Sequence, residues 1–259
     1  MADKSALPIG EATWAKLRGV STATLTSQLL SRGLRNTYLA GVLPLAYGGT
    51  HMVGEAFTLR YIPAREDIDV MQVFQDYDHP QRKAVETVGP GQVLVMDCRG
   101  QTRAASLGAI LAERLWQRGV AGVVSDGAYR DSHVIAKSPL PAYAAGVSAT
   151  TNLAQHHAVD IQVPIGCAEV PVYPGDVVVG DQEGVVIVPR HLAGEIADAA
   201  FDQERLEAFL QKRIAAGAAL RGVYPASAEL LSEYHATVKS SPERSGFPTA
   251  DPGVVDECV

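Results

Sequence analysis

Gln92-Val-Leu-Val-Met-Asp-Cys98, the segment Ser106 to Gly119, and Gly122-Val-Val-Ser-Asp-Gly-Ala-Tyr-Arg-Asp131 together decide the fold. The first is a buried-strand run introduced by the turn Gly89-Pro90-Gly91. In the second, Leu107, Ile110, Leu111 and Leu115 recur at helical spacing, with Ser106 suited to the N-cap and Gly119 to the stop. Val120 to Ser125 reads as another short apolar strand. Strand, helix, strand predicts an α/β fold. It leaves Arg130-Asp131 in a loop at a strand's carboxyl end, where open α/β sheets hold their ligands.

That pair sets a permanent cation beside a hard anionic oxygen donor. Such a carboxylate suits a divalent ion, and such a guanidinium suits an oxygen on which enolate charge develops. The N–H groups at the start of the preceding helix suit a substrate carboxylate.

Further out, residues 11–35 look helical: Glu11 to Arg18, then Ser21 to Arg32, capped by Ser21 or Thr22 and stopped by Gly33. Gly54 to Tyr61 alternates like a strand that ends at Pro63. Pro139 to Gly146, with two prolines, reads as an edge strand or loop. From Val159 to Pro189 the chain is rich in valine, isoleucine and tight turns, which predicts short antiparallel hairpins. His191 to Ala216 forms a long amphipathic helix, and about Ala226 to Val238 a second short one.

The 259 residues are 47% hydrophobic, 20% charged and 6% aromatic. This is ordinary globular composition, enough for one large domain or one domain with an appendage. No apolar run approaches the ~18 residues of a membrane-spanning helix. Met1 to Gly10 lack the pattern of a secretory signal, so a cytoplasmic location is expected, with no membrane partner. A net charge of -7 without basic runs argues against a nucleic-acid partner and permits a basic protein partner. Cys98, Cys167 and Cys258 match no zinc or redox spacing and read as reduced thiols.

Four blocks carry a resemblance: Val95-Met-Asp-Cys-Arg-Gly100, Ser106-Leu-Gly108, Gly119 to Asp131 and Pro174 to Pro189, with pieces at Thr22 to Leu29 and Gly54 to Thr58. Together they resemble the RraA-like family, which joins 4-hydroxy-4-methyl-2-oxoglutarate aldolases with regulators of ribonuclease E activity. The resemblance implies a swivelling α/β/β/α sandwich over residues 1–200 (core match about 20–200), assembled as a homotrimer or homohexamer with sites between subunits. Residues 201–239 are then a helical appendage and residues 240–259 a tail without fixed structure.

In the aldolase branch, the resemblance makes Asp131 the ligand of Mg2+ or Mn2+ and Arg130 the catalytic residue that stabilises a pyruvate enolate. The amides of Gly108, Ala109, Ile110 and Leu111 become the cradle of the pyruvyl carboxylate. The activity implied is that of a metal-dependent lyase on a small 2-oxo acid, by retro-aldol cleavage or oxaloacetate decarboxylation. Two alternatives stand beside it: a non-catalytic regulator that binds a ribonuclease or other basic protein, and a sugar-acid lyase or hydrolase with a different acid or base.

The chain departs from the aldolase pattern. The position that should hold the motif aspartate, separated from Arg130 by residues 110–129, is Ala109, and Ser27 stands where an acidic residue is expected. Alanine transfers no protons. Asp97, Asp126, Asp181 or Glu183 is then the expected substitute, unless the aldolase chemistry is lost. Several residues have simpler readings. Asp126-Gly127 reads as a turn former with a supporting role, and Asp176, Asp181 and Glu183 as hairpin-turn residues. His156-His157 reads as one packed and one solvent-facing ring, because adjacent residues diverge. His79 is a loop residue with a conceivable place at a substrate-tail pocket.

Overall fold

The computed structural model describes residues 8–46 and 51–240. It opens with α1 (Glu11–Leu17) and α2 (Thr22–Ser31). Ser21 caps α2, its Oγ accepting from Thr24 N at 3.1 Å, and Gly33 leaves the helix at φ +83°. Then follow β1 (Leu43–Pro44), β2 (Met52–Pro63), a 3-10 turn at Met71–Gln75, α3 (Pro80–Thr87), β3 (Gln92–Asp97), β4 (Ala105–Leu107), α4 (Ala109–Gln117) and β5 (Gly122–Tyr129). A short α5 (Ser132–Ile135) leads to β6 (Ala142–Val147), β7 (His156–Ile161), β8 (Ile165–Cys167), β9 (Val170–Val172), β10 (Val177–Asp181) and β11 (Gly184–Val188). Two helices, α6 (Ala193–Ala215) and α7 (Ala228–Ser240), complete the described chain.

Strands β2, β3, β5 and β6 lie side by side and parallel, and β10 and β11 extend the sheet antiparallel beyond β2. The segment that leads into β1 bridges the two edges. Ile187 N donates to Thr37 O at 2.8 Å and Leu39 N to Val185 O at 2.9 Å, and β1 then pairs with β6. The sheet thus curls into a nearly closed barrel.

Each central strand is buried on both faces, which explains its unbroken apolar sequence. Val93 and Val95 of β3 join Val178, Val185 and Ile187 inside the barrel, plugged by Ile165, Cys167, Val170 and Val172 of the β8–β9 hairpin. Leu94 and Met96 face the other way, with Ala84 and Val85 of α3 and Ala112 and Leu115 of α4. On β10 and β11, Val177, Val179, Val186 and Val188 pack against Leu25 and Leu29 of α2 and Ile196, Ala197 and Ala200 of α6. Helices therefore cover the barrel from two sides, the layered α/β/β/α arrangement. Each fully buried leucine or valine contributes ~1.5–3 kcal/mol of transfer free energy.

Three sequence expectations are corrected. Ser106 does not cap a helix: it lies buried in β4, and α4 starts at Ala109 with Gly108 as a cap that has no side chain to contribute. Asp126-Gly127 is not a turn but the middle of β5, where the pairing with β6 shifts register between Ser125 and Ala128. Residues 142–147 are not an edge strand, because β6 has β5 on one side and β1 on the other; Pro139 and Pro141 precede the strand and cost it no ladder bond.

The described residues divide into two compact units between residues 201 and 202, and the division falls within α6. Within the second unit, Phe209 and Tyr234 meet at 5.5 Å between ring centroids, and Arg213 pairs with Glu233. The expected tail and Cys258 lie outside the described residues. Among the described residues, no helix is long and apolar enough to cross a membrane.

Candidate functional site

Parallel strands β4 and β5 end together, and what leaves them builds one cleft. Leu107 O accepts from Arg130 N at 2.9 Å, which pins the end of β5 to the start of α4. The chain then turns sharply: Asp131 adopts φ 53°, ψ 32°, a left-handed conformation unfavourable for most residues but tolerated by aspartate. Its carbonyl starts α5 by accepting from Val134 N and Ile135 N, while its side chain turns back towards α4.

Asp131 Oδ2 accepts from Ala109 N at 3.2 Å and lies 3.6 Å from Arg130 Nε. An anionic oxygen thus already rests at the positive end of α4, where the first backbone N–H groups have no partners in the helix. Gly108 lets the pair lie close. A Cβ there would come within 3.0 Å of Arg130 Cγ and 3.1 Å of Asp131 Oδ2. Arg130 and Asp131 are each a little under half exposed, so both can reach a ligand.

The cleft has a volume of about 420 Å³, in the range of small-molecule sites. Gly108, Ala109, Ile110, Leu111, Arg130 and Asp131, the residues singled out from the sequence, all line it. So do Met71, Phe74, Gln81, Arg82 and Asn152, which carry no functional signal in the sequence beyond Pro80, a helix-start residue just before two of them.

The floor is a buried polar cluster. Ser125 Oγ lies 3.1 Å from Ser106 Oγ and 3.3 Å from Cys98 Sγ, and it accepts from Gly127 N at 3.0 Å. Burial, reinforced by Asp126, pushes the Cys98 thiol up to about 12, so it stays protonated and unreactive. Gly127 makes room for it, since a Cβ there would come within 2.7 Å of Cys98 Cβ.

None of the carboxylates expected to replace the missing aspartate lines the cleft. Asp126 is buried and accepts from the backbone N–H groups of Cys98, Gly100 and Ala168 at 2.5, 2.9 and 3.2 Å. Burial raises its pKa against the pull of those three bonds. Asp97 accepts from Arg99 N and Gly166 N. Asp181 accepts from Thr22 N and Thr22 Oγ1 at the β10–β11 turn, and it takes the Glu183 N–H as well. Ser27 lies on α2, in a different hollow from Arg130. Asp131 is the one carboxylate among the lining residues.

His156 is buried, its Nε2 3.1 Å from Ala104 O, whereas His157 is partly exposed and sits 2.7 Å from Asp69 Oδ1. His79 is buried edge-on against Phe74 of the cleft wall, at 5.7 Å between centroids.

Among the described residues, no three His, Cys, Asp or Glu side chains converge on one point. A single accessible carboxylate nevertheless fits a hard divalent cation such as Mg2+, which usually keeps several waters and takes one or two protein carboxylates plus substrate oxygens.

A curled, nearly closed sheet with helices on two sides and a cleft at the ends of its parallel strands places the chain among the α/β barrel-like proteins. More particularly, the RraA-like (Aldolase/RraA) family profile matches residues 22–187, and the chain belongs to that family. A 4-hydroxy-4-methyl-2-oxoglutarate aldolase of Thermus thermophilus is 33% identical over 127 residues, 49% of this chain and 76% of that protein. The crystal structure of Streptomyces coelicolor RraAS2, an unusual member of the RNase ES inhibitor RraA protein family, is 33% identical with a TM-score of 0.69, covering 79% of this chain and 97% of that one. An uncharacterized protein from Pseudomonas syringae superposes with a TM-score of 0.73 at 26% identity, over 84% and 99% of the two chains.

Proposed function

We propose that the cleft binds a small 2-oxo acid together with Mg2+ or Mn2+ and acts as a lyase through a pyruvate enolate. One observation carries the reading: Arg130, Asp131 and the N-terminus of α4 converge on one cleft. Asp131 would hold the cation. When bound, the cation would supply Lewis-acid polarisation of the 2-oxo group.

The chain's own groups do the rest. The N–H groups at the start of α4 bind the substrate carboxylate, which aims the 2-oxo oxygen at Arg130. The Arg130 guanidinium then meets the negative charge that gathers on that oxygen as the bond to the leaving fragment breaks. Such a contact is stronger in the transition state than in the ground state, and losing one typically costs ~3–4 kcal/mol.

With Ala109 at the motif position, the two candidate reactions make different demands. Retro-aldol cleavage needs a base for the substrate hydroxyl proton. Decarboxylation of an oxaloacetate-like acid starts from an ionised carboxylate and needs only a sink for electrons. The described lining supplies the sink and no second carboxylate or imidazole, so decarboxylation asks less of this site. The test is pyruvate formation from oxaloacetate and from branched 4-hydroxy-2-oxo diacids, with Mg2+ or Mn2+, above the rate of metal alone. Turnover of at least one class supports the reading; none with either metal, while a control aldolase works, overturns it.

A second reading draws on Ala109 itself. A member of this family without the motif acid can be a binding protein, and the acidic chain suits an arginine-rich partner. Salt-sensitive capture by a basic ribonuclease segment, abolished by charge reversal on that segment, would favour it.

A further inference from the structure

The connection from β2 to α3 is long and lies almost wholly on the surface. Residues 65–78 hold no strand and no α-helix, only the 3-10 turn at Met71–Gln75. Ile68, Val70, Met71 and Tyr77 are all exposed, Tyr77 to 91%. Asp69 alone among these residues is buried, and its side chain is 1% exposed. A carboxylate at the one buried position of an exposed segment acts as an anchor, because its burial is unfavourable unless hydrogen bonds hold it. Long connections without regular structure are commonly active-site lids or binding loops.

The segment has few ties to the rest of the protein. Asp69 Oδ2 accepts from Arg65 N at 2.7 Å, within the segment. Asp69 Oδ1 lies 2.7 Å from His157 Nδ1 of β7, and since an ionised carboxylate only accepts, the ring donates from Nδ1. Among the described residues this is the segment's one hydrogen bond to a strand of the sheet. The backbone N–H groups of Ile68, Asp69, Val73 and Asp76 all donate within the segment. At the far end the contacts go to α3 and its cap: His79 N donates to Asp76 O, Lys83 pairs with Asp78, and the Phe74 ring packs on His79 and Arg82. Met71 and Phe74 meanwhile form part of the cleft wall.

We infer that residues 65–78 are a strap that opens and closes over the cleft as a unit, and that the Asp69–His157 hydrogen bond is its latch. With the latch made, the buried carboxylate holds Met71 and Phe74 in the cleft wall. With it broken, water solvates Asp69 better than its dry pocket does, and the strap swings out from its attachment at α3. Such an opening wall sets how fast a ligand enters and leaves. Asp69 and His157 are thus positioning residues: neither lines the cleft, and both act through the wall they hold. The strap governs whatever the cleft binds, and the 2-oxo-acid reading enters only through the choice of oxalate as a probe.

The test is hydrogen exchange of the full chain, read by mass spectrometry, in wild type, His157→Leu and His157→Asn. Leucine removes the donor, whereas asparagine keeps an N–H donor near the position of Nδ1. In the wild type, amides of residues 66–78 should exchange at least about 100-fold faster than those of β3 and β5. His157→Leu should speed exchange in the strap by about 10-fold or more, as for loss of a hydrogen bond to a charged group, and leave β3 and β5 unchanged. His157→Asn should restore most of the difference. Oxalate bound with Mn2+ should dissociate from His157→Leu about 10-fold faster than from the wild type. Strap amides as slow as those of β3 and β5, strap exchange indifferent to leucine, equal acceleration throughout the sheet, or no rescue by asparagine overturns the latched strap. Faster strap exchange with an unchanged oxalate off-rate overturns its control of the cleft. If the wild-type protein with Mn2+ binds no oxalate, the 2-oxo-acid reading falls, and the exchange results still decide the strap.

Discussion

Gly108 shows how tightly the site is drawn. Its backbone is extended at φ -132°, so conformation does not demand glycine, but a side chain there would press on Arg130 and Asp131. Gly108→Ala should shift Arg130 and Asp131 by a few tenths of an ångström and lower kcat by up to about 10-fold, with little change in Tm. Equal activity would mean the pair has slack to spare. Arg130→Gln should reduce kcat by about 10²–10³-fold, as expected for loss of one donor to developing oxyanion charge. Ala109→Asp should raise metal-dependent pyruvate formation, because a carboxylate at the start of α4 is favoured by the helix and supplies the missing acid. Unchanged or lower turnover with intact Mn2+ binding would place the proton donor elsewhere. Arg130, Asp131 and the helix start were legible because each is chemically distinctive and adjacent in sequence. Arg82 and Asn152 were not, because they reach the cleft only through tertiary packing.

At the scale of elements, the parallel pair β3 and β5 read clearly, since a strand buried on both faces is a continuous apolar run. The α4 boundary did not. Ser106 has the chemistry of a cap, but it is drawn into β4 by pairing with β5, and its hydroxyl goes to Ser125 and Ala128 instead. Asp126 misled for a related reason: Asp-Gly is a turn signal in isolation, yet here the carboxylate ties β5 to the loops at Cys98–Gly100 and Ala168. Asp126→Ala should therefore destabilise the protein by about 3 kcal/mol or more, since it strands three backbone N–H groups. Urea denaturation measures this, and a loss under about 1 kcal/mol would show that water replaces the carboxylate.

For the molecule as a whole, buried thiols make stability depend on alkaline pH. As pH climbs past the ordinary thiol value of 9.0, the unfolded chain releases the Cys98 proton, whereas the folded chain keeps it to about 12. The unfolded state then binds fewer protons, and stability falls with rising pH across that window. Cys167, Tyr61 and Tyr129, also raised by burial, act in the same direction. Cys98→Ala should make the decline shallower by ~1.4 kcal/mol per pH unit, and an identical slope would mean that the thiol is not held neutral. The α/β class was foreseeable from the strand and helix periods, and the layered arrangement from the family resemblance. The closure of the sheet was not, because it depends on backbone pairing of residues 37–39 with β11, which carries no side-chain pattern. The most direct test of the account compares wild-type protein with Asp131→Asn for pyruvate formation from oxaloacetate at saturating substrate over a Mn2+ titration. The account predicts metal-dependent turnover by the wild type, at least about 100-fold lower in the variant. Equal turnover by the two proteins, or a wild-type rate no higher than that of Mn2+ alone, would contradict it.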